Sequence, residues 1–163
     1  MLAPPRDQSD DRLRSARLIA LAAPVALLGG ALLSEYVGKL YPCEMCWWQR
    51  YPHGVAILLA LAALASPLTA PRTRVLTLFA ALAIALSGAI GAFHAGVEYG
   101  WWEGLTTCTA SGATSLEDIM RTPVIRCDQV QWSLAGISLA GYNALFSLGG
   151  ALLIAVLARR KAA

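Results

Sequence analysis

An all-α membrane protein, a bundle of four transmembrane helices with two cysteine-bearing external loops, is predicted by three observations. Hydrophobic residues make up 57% of the 163-residue chain and charged residues 14%, where soluble domains carry about 25% charged residues. The apolar residues gather into four runs, each near the length of ~20 helical residues that crosses a hydrocarbon core. The basic residues flank those runs and do not cluster on a face.

The first run extends over residues 18–37, the second over 47–65, the third over 75–97 and the fourth over 134–157. Around them lie a polar tail (1–17), external loops 38–46 and 98–133, one inner connection and a basic end, so residues 1–163 read as a single membrane domain. Arg12, Arg14 and Arg17 precede the first run as they would in a signal peptide. The run nevertheless exceeds the usual signal core of about 7–15 residues and has no small-x-small site ahead of Glu35 and Tyr36, so a retained span is expected.

Positively charged short loops resist translocation, and this sets the orientation. Of the thirteen Lys and Arg residues, Arg6, Arg12, Arg14, Arg17, Arg72, Arg74, Arg159, Arg160 and Lys161 fall on one side, and Lys39, Arg50, Arg121 and Arg126 on the other. Both termini are therefore expected in the cytoplasm. Tyr36, Tyr41, Trp47, Trp48, Tyr51, Tyr99, Trp101, Trp102 and Trp132 sit at the outer ends of the runs, as interfacial aromatic residues do. A net charge of +3 spread as topological markers gives no nucleic-acid surface.

All four cysteines lie in the two external connections, Cys43 and Cys46 in the first and Cys108 and Cys127 in the second. Buried structural cysteines would scatter among the helices, so confinement to the oxidising side points to disulfide chemistry. Three pairings are open. The local ones are Cys43 with Cys46 and Cys108 with Cys127; the others would staple the loops together. A C-x-x-C loop removes little chain entropy and makes a poor staple. It suits redox exchange, because the second thiol is held where it can resolve a mixed disulfide. No metal is expected: zinc sites want a second close pair or nearby histidines, and Cys108 and Cys127 have eighteen residues between them, with His53 and His94 the only histidines.

On a helix opening at the C-x-x-C, Cys46 and Arg50 are i and i+4 and share a face, with His53 a further turn along. Arg50 can lower the pKa of the thiol and steady negative charge on an oxygen acceptor. Pro52 is expected in the opening turn, where its missing donor is harmless. At the end of the third run, His94 and Glu98 are again i and i+4 at the same outer level, where His94 could serve as an interhelical hydrogen-bond partner or donate to an acceptor oxygen beside Arg50. Asn143, in mid-span, reads as an interhelical hydrogen-bonding residue. In the second loop, Ser115 and Asp118 resemble a capping box, and Leu116, Ile119 and Met120 give a short apolar face before Pro123. A surface turn over residues 115–121 is expected to tether a loop bearing Cys127.

Four spans with both termini inside, C-x-x-C opening the second span, Arg four residues beyond its second cysteine and a cysteine pair in the second outer loop resemble the disulfide bond formation protein B (DsbB) family. The likeness covers about residues 15–158. It implies a thiol:quinone oxidoreductase of the bacterial inner membrane that reoxidises a periplasmic, DsbA-like thioredoxin-fold dithiol oxidase. It implies ubiquinone or menaquinone as acceptor, and thereby a link to the respiratory chain. It also implies the redox disulfides Cys43–Cys46 and Cys108–Cys127. By position, Cys108 is attacked by the partner, Cys127 attacks Cys43, and Cys46 faces the quinone beside Arg50, with Trp47, His53 and His94 as further candidates to bind it. A vitamin K epoxide reductase-like quinone reductase is the nearest rival, although its C-x-x-C is expected late in the bundle. A non-enzymatic assembly subunit stapled by disulfides is the rival from another class.

Overall fold

The computed structural model describes residues 8–105 and 125–159. Cys108 and the turn expected over 115–121 fall outside them. Four helices, α1 (Gln8–Tyr36), α2 (Glu44–Leu64), α3 (Pro71–Glu98) and α4 (Leu139–Ala158), run alternately up and down the bundle. Three of them, α1, α3 and α4, are long and apolar enough to cross a membrane. At 21 residues α2 is of similar length, but its opening turns carry Glu44, Gln49, Arg50 and His53.

The interior is built from small side chains. Ala16, Ala20, Ala56, Ala60, Ala80 and Ala158 are fully buried, whereas Leu33, Leu58, Leu82 and Leu152 point outward. A soluble bundle would reverse this. In lipid no hydrophobic gain comes from hiding leucine, and association rests on the close backbone approach that small residues allow. Gly91 shows how close: a Cβ there would stand 2.9 Å from Asn143 Nδ2 and 3.0 Å from the Ala140 carbonyl. Gly91→Ala is therefore expected to cost about 1–3 kcal/mol, read as a lowered Tm in detergent; an unchanged Tm would show that α3 and α4 can part without penalty.

Three boundaries differ from the sequence expectation. First, α1 begins at Gln8, not near residue 18, because Leu13, Ala16 and Arg17 of the expected tail pack into the bundle. Second, Pro52 lies eight residues into α2, past the opening turn. The carbonyl that Pro52 leaves without its helical donor is that of Trp48; the next one along, the Gln49 carbonyl, takes a hydrogen bond from the Ser87 hydroxyl of α3 at 2.8 Å. Third, α4 starts at Leu139, not at 134. The residues before it form a two-stranded antiparallel ribbon, β1 (Ser133–Leu134) and β2 (Ile137–Ser138), turned by Ala135 (φ 50°) and Gly136 (φ 78°). Two consecutive positive φ values are what a two-residue hairpin turn demands. Ser138 then caps α4, its Oγ accepting from Gly141 N at 3.1 Å.

One end of the bundle is closed by arginines. Arg17 donates to the carbonyls of Leu64 (2.7 Å) and Ser66 (3.2 Å), Arg12 to that of Val156 (2.8 Å), and Arg74 to that of Ala158. The residues counted in the sequence as topological markers thus also satisfy the orphan carbonyls at the C-termini of α2 and α4, where positive charge suits the helix dipole. Cys43, Cys46 and Cys127 lie at the opposite end.

Candidate active site

At that opposite end the second loop folds back over the start of α2. Cys43, Met45, Val97 and Cys127 form a buried cluster, packed by Cys46, Trp48, Phe93 and Ile125. Cys43 is the N-cap of α2, its sulfur accepting from the Cys46 amide at 3.3 Å, so a redox candidate occupies the position that usually holds Ser or Asp. The Cys43 and Cys46 sulfurs stand 3.1 Å apart as two thiols, where a disulfide would bring them to about 2.05 Å. Cys43 is also hydrogen-bonded to Cys127. Three of the four predicted cysteines therefore meet, in the chain of contacts Cys127, Cys43, Cys46.

The two thiols of the C-x-x-C are unequal. Hydrogen bonding to Cys127, then to Cys46, together with burial, pushes the Cys43 thiol far up. Cys46, one residue ahead of the expected span, is pulled below the usual thiol range, chiefly by its hydrogen bond with Cys43 and with help from the Arg50 charge. A lowered pKa means thiolate at lower pH. In the reduced protein, iodoacetamide should label Cys46 well below pH 8.5 while Cys43 stays unmodified, as peptide mass spectrometry would read; equal labelling of both would contradict the asymmetry.

Cys43 and Cys46 open onto a cavity of about 300 Å³, also lined by Arg50, His53, His94 and Asn143 and, from α1, by Ala26, Leu27, Gly30 and Ala31. The Arg50 guanidinium is held from three directions. It pairs with the Glu35 carboxylate, donates to the Ala31 carbonyl at 3.3 Å and lies 4.8 Å from the centre of the Trp47 ring. Sequence reading had set it beside Cys46 alone, and the partner it overlooked is Glu35. Trp47 is not among the cavity residues. It is partly exposed, and its ring lies against the Arg50 guanidinium.

His94 sits at the cysteines, its Nε2 3.5 Å from Cys43 Sγ and 3.8 Å from Glu98 Oε1. Its tautomer is fixed by its neighbours. Gln49 Nε2 donates to the Met45 carbonyl at 3.0 Å and so is the amide nitrogen, and it reaches His94 Nδ1 at 2.9 Å. Nδ1 must accept, which leaves the proton on Nε2, facing Cys43. His94 therefore addresses a sulfur more directly than a quinone oxygen. Cys43, Cys46 and His94 have ligand atoms within 4.8 Å of one another, but a metal would need the Nε2 lone pair, and freeing it means turning Gln49 against both Met45 and Asn143. Gln49 and Ser87 were missed in the sequence; a lone polar residue inside an apolar run is the only signal either offers.

The chain matches the model of the disulfide bond formation protein DsbB family over residues 13–157. It belongs to the DsbB family. A "Disulfide bond formation protein B" of Verminephrobacter eiseniae is 34% identical over 87% of this chain and 84% of its own length. Another from Shewanella sp. (strain MR-4) is 38% identical over 48% of this chain and 42% of its own length. An uncharacterized protein of Rickettsia prowazekii is 24% identical over 85% of this chain and 83% of its own length. No solved structure matches. DsbB membership makes the chain a membrane protein of disulfide bond formation with disulfide oxidoreductase character.

Proposed function

We propose that this DsbB protein is a thiol:quinone oxidoreductase of the bacterial inner membrane, with both termini in the cytoplasm and α2 as a fourth span. It reoxidises a periplasmic thioredoxin-fold dithiol oxidase, using the pairs Cys108–Cys127 and Cys43–Cys46. The observation that carries this reading is that Cys43 and Cys46 line the same cavity as Arg50 while Cys127 stands against Cys43.

A partner thiolate attacks Cys108, the S–S bond to Cys127 breaks, and the second partner thiol resolves the mixed disulfide. The released Cys127 thiolate attacks Cys43, displacing Cys46 as thiolate. Cys108, freed when the mixed disulfide is resolved, then attacks Cys127, which re-forms the Cys108–Cys127 bond and releases Cys43, so that Cys43 and Cys46 together hold the electron pair and the two protons of the partner dithiol pass on with it. Cys46, with its lowered pKa, is the better leaving group of the pair. A bound quinone supplies a sink for two electrons and two protons. Re-forming the Cys43–Cys46 bond gives up that electron pair, so one partner dithiol becomes a disulfide for each quinol made.

The cavity residues fit such a ring. Its volume suits a small flat head group, and the α1 side is apolar. Arg50 Nε is buried with no hydrogen-bond partner among the described residues, a donor available to a ring oxygen and carrying the charge that would steady developing negative charge there. Mixing purified protein, reduced thioredoxin-fold oxidase and a short-tailed ubiquinone without oxygen tests the reading. Quinone absorbance should fall in step with partner disulfide; no consumption with ubiquinone or menaquinone analogues would overturn it.

A further inference from the structure

His53, two turns along α2 from Cys46, also lines the cavity and is 3% exposed. Its surroundings fix its protonation as firmly as those of His94. Asn143 Nδ2 donates to the Ser87 carbonyl at 3.2 Å and to Gln49 Oε1 at 2.9 Å, so Asn143 Oδ1 is the acceptor. That oxygen takes hydrogen bonds from Ser147 Oγ at 2.9 Å and from His53 Nε2 at 2.9 Å. Ser87 Oγ gives its proton to the Gln49 carbonyl and meets the same His53 nitrogen at 2.9 Å. Two backbone carbonyls, those of Ser87 and Gln49, thus orient every side chain in the network and leave His53 Nε2 only the donor role. In the neutral ring Nδ1 is then a bare lone pair. It is buried and has no partner among the described residues; the His53 side chain lines the cavity, and a ligand meets Nδ1 by parting the side chains that cover it.

A buried acceptor without a donor is costly, and a ligand hydroxyl would complete this one. A quinone has only carbonyl oxygens and would set lone pair against lone pair. Its reduced form has hydroxyls. We propose that His53 Nδ1 is the acceptor for a ring hydroxyl, so that the cavity pairs one donor, Arg50 Nε, with one acceptor, His53 Nδ1, and recognises phenol or hydroquinone ligands through the second. On this inference, which rests on the cavity being the quinone site, His53 discriminates between the two redox forms of the acceptor and favours the product.

Two measurements test it. With decylubiquinol as probe, the ¹⁵N resonance of His53 Nδ1 in the labelled wild-type protein should shift, and with the dimethyl ether of the same molecule it should not. Equal shifts with both, or none with a bound hydroquinone, would overturn the proposal. In His53→Leu, the affinity for decylubiquinol relative to decylubiquinone should fall about five- to tenfold, the scale of one neutral hydrogen bond; an unchanged ratio would overturn it too. If His53→Leu does not fold, the wild-type resonance decides alone. Failure of the wild type to bind either redox form would instead sink the quinone reading itself.

Discussion

In Cys46→Ser, quinone-dependent oxidation of a dithiol partner is expected to fall by at least about 10³-fold, because removing the nucleophile from a covalent relay abolishes the step and does not merely slow it. A hydroxyl at position 46 has no accessible anion near neutral pH and cannot close a disulfide with Cys43. The fold should survive, since the N-cap interaction of α2 uses the Cys43 sulfur and the Cys46 backbone amide. Anaerobic quinone absorbance measures the activity, and circular dichroism with Tm measures the fold. A variant that loses stability while the wild type has no quinone activity to lose would favour a disulfide-stapled assembly subunit.

Arg50→Ala should have two separable effects. Loss of the charged donor from the cavity is expected to raise the apparent KM for quinone by about 10- to 100-fold, the range of a charge-assisted hydrogen bond, with a smaller change in kcat. It also strands Glu35, whose side chain is 15% exposed beside an Arg50 that is 9% exposed. Leaving one member of a buried pair alone costs about 3–5 kcal/mol, and the residual exposure here lowers the expectation to about 2–3 kcal/mol. Glu35→Ala in the same background should recover part of the stability and none of the KM. Additive stability losses in the double variant would mean that the two side chains do not interact. An unchanged KM in Arg50→Ala would reduce Arg50 to an interfacial anchor.

How far the sequence could be read depended on whether a signal was periodic, local or relational. The runs over 47–65 and 75–97 coincide closely with α2 and α3, because apolar length is a local property. The ends of α1 and α4 were misplaced for opposite reasons. Leu13 and Ala16 lie in a stretch whose charges mask the two residues that pack, so composition began the first run too late. Leu134 and Ile137 are apolar but face each other across a turn that Ala135 and Gly136 impose, so composition began the fourth run too early. The C-x-x-C and Arg50 were legible as a motif, since their spacing alone puts them on one helix.

Partners contributed by other helices were not legible. Glu35 bonds Arg50 across fifteen residues, Gln49 bonds His94 across forty-five, and Asn143 bonds His53 across ninety. Each could be recognised as polar in an apolar setting, but nothing in one chain says which polar residue meets which. Asn143 was read correctly as interhelical glue because that role follows from depth alone. His94 stands at the expected outer level and lines the cavity with Arg50; the neighbours that spacing did not indicate are Gln49 at its Nδ1 and Cys43 at its Nε2.

The most direct test of the electron path is a single turnover without any protein partner. Fully reduced wild-type protein is mixed anaerobically with one equivalent of decylubiquinone, quenched with acid, alkylated and digested. The account predicts one quinol formed for each Cys43–Cys46 disulfide recovered by mass spectrometry, at a rate that Cys108→Ser leaves unaltered. Quinol formation accompanied by a disulfide elsewhere, or a Cys43–Cys46 bond that appears without loss of quinone, would contradict it.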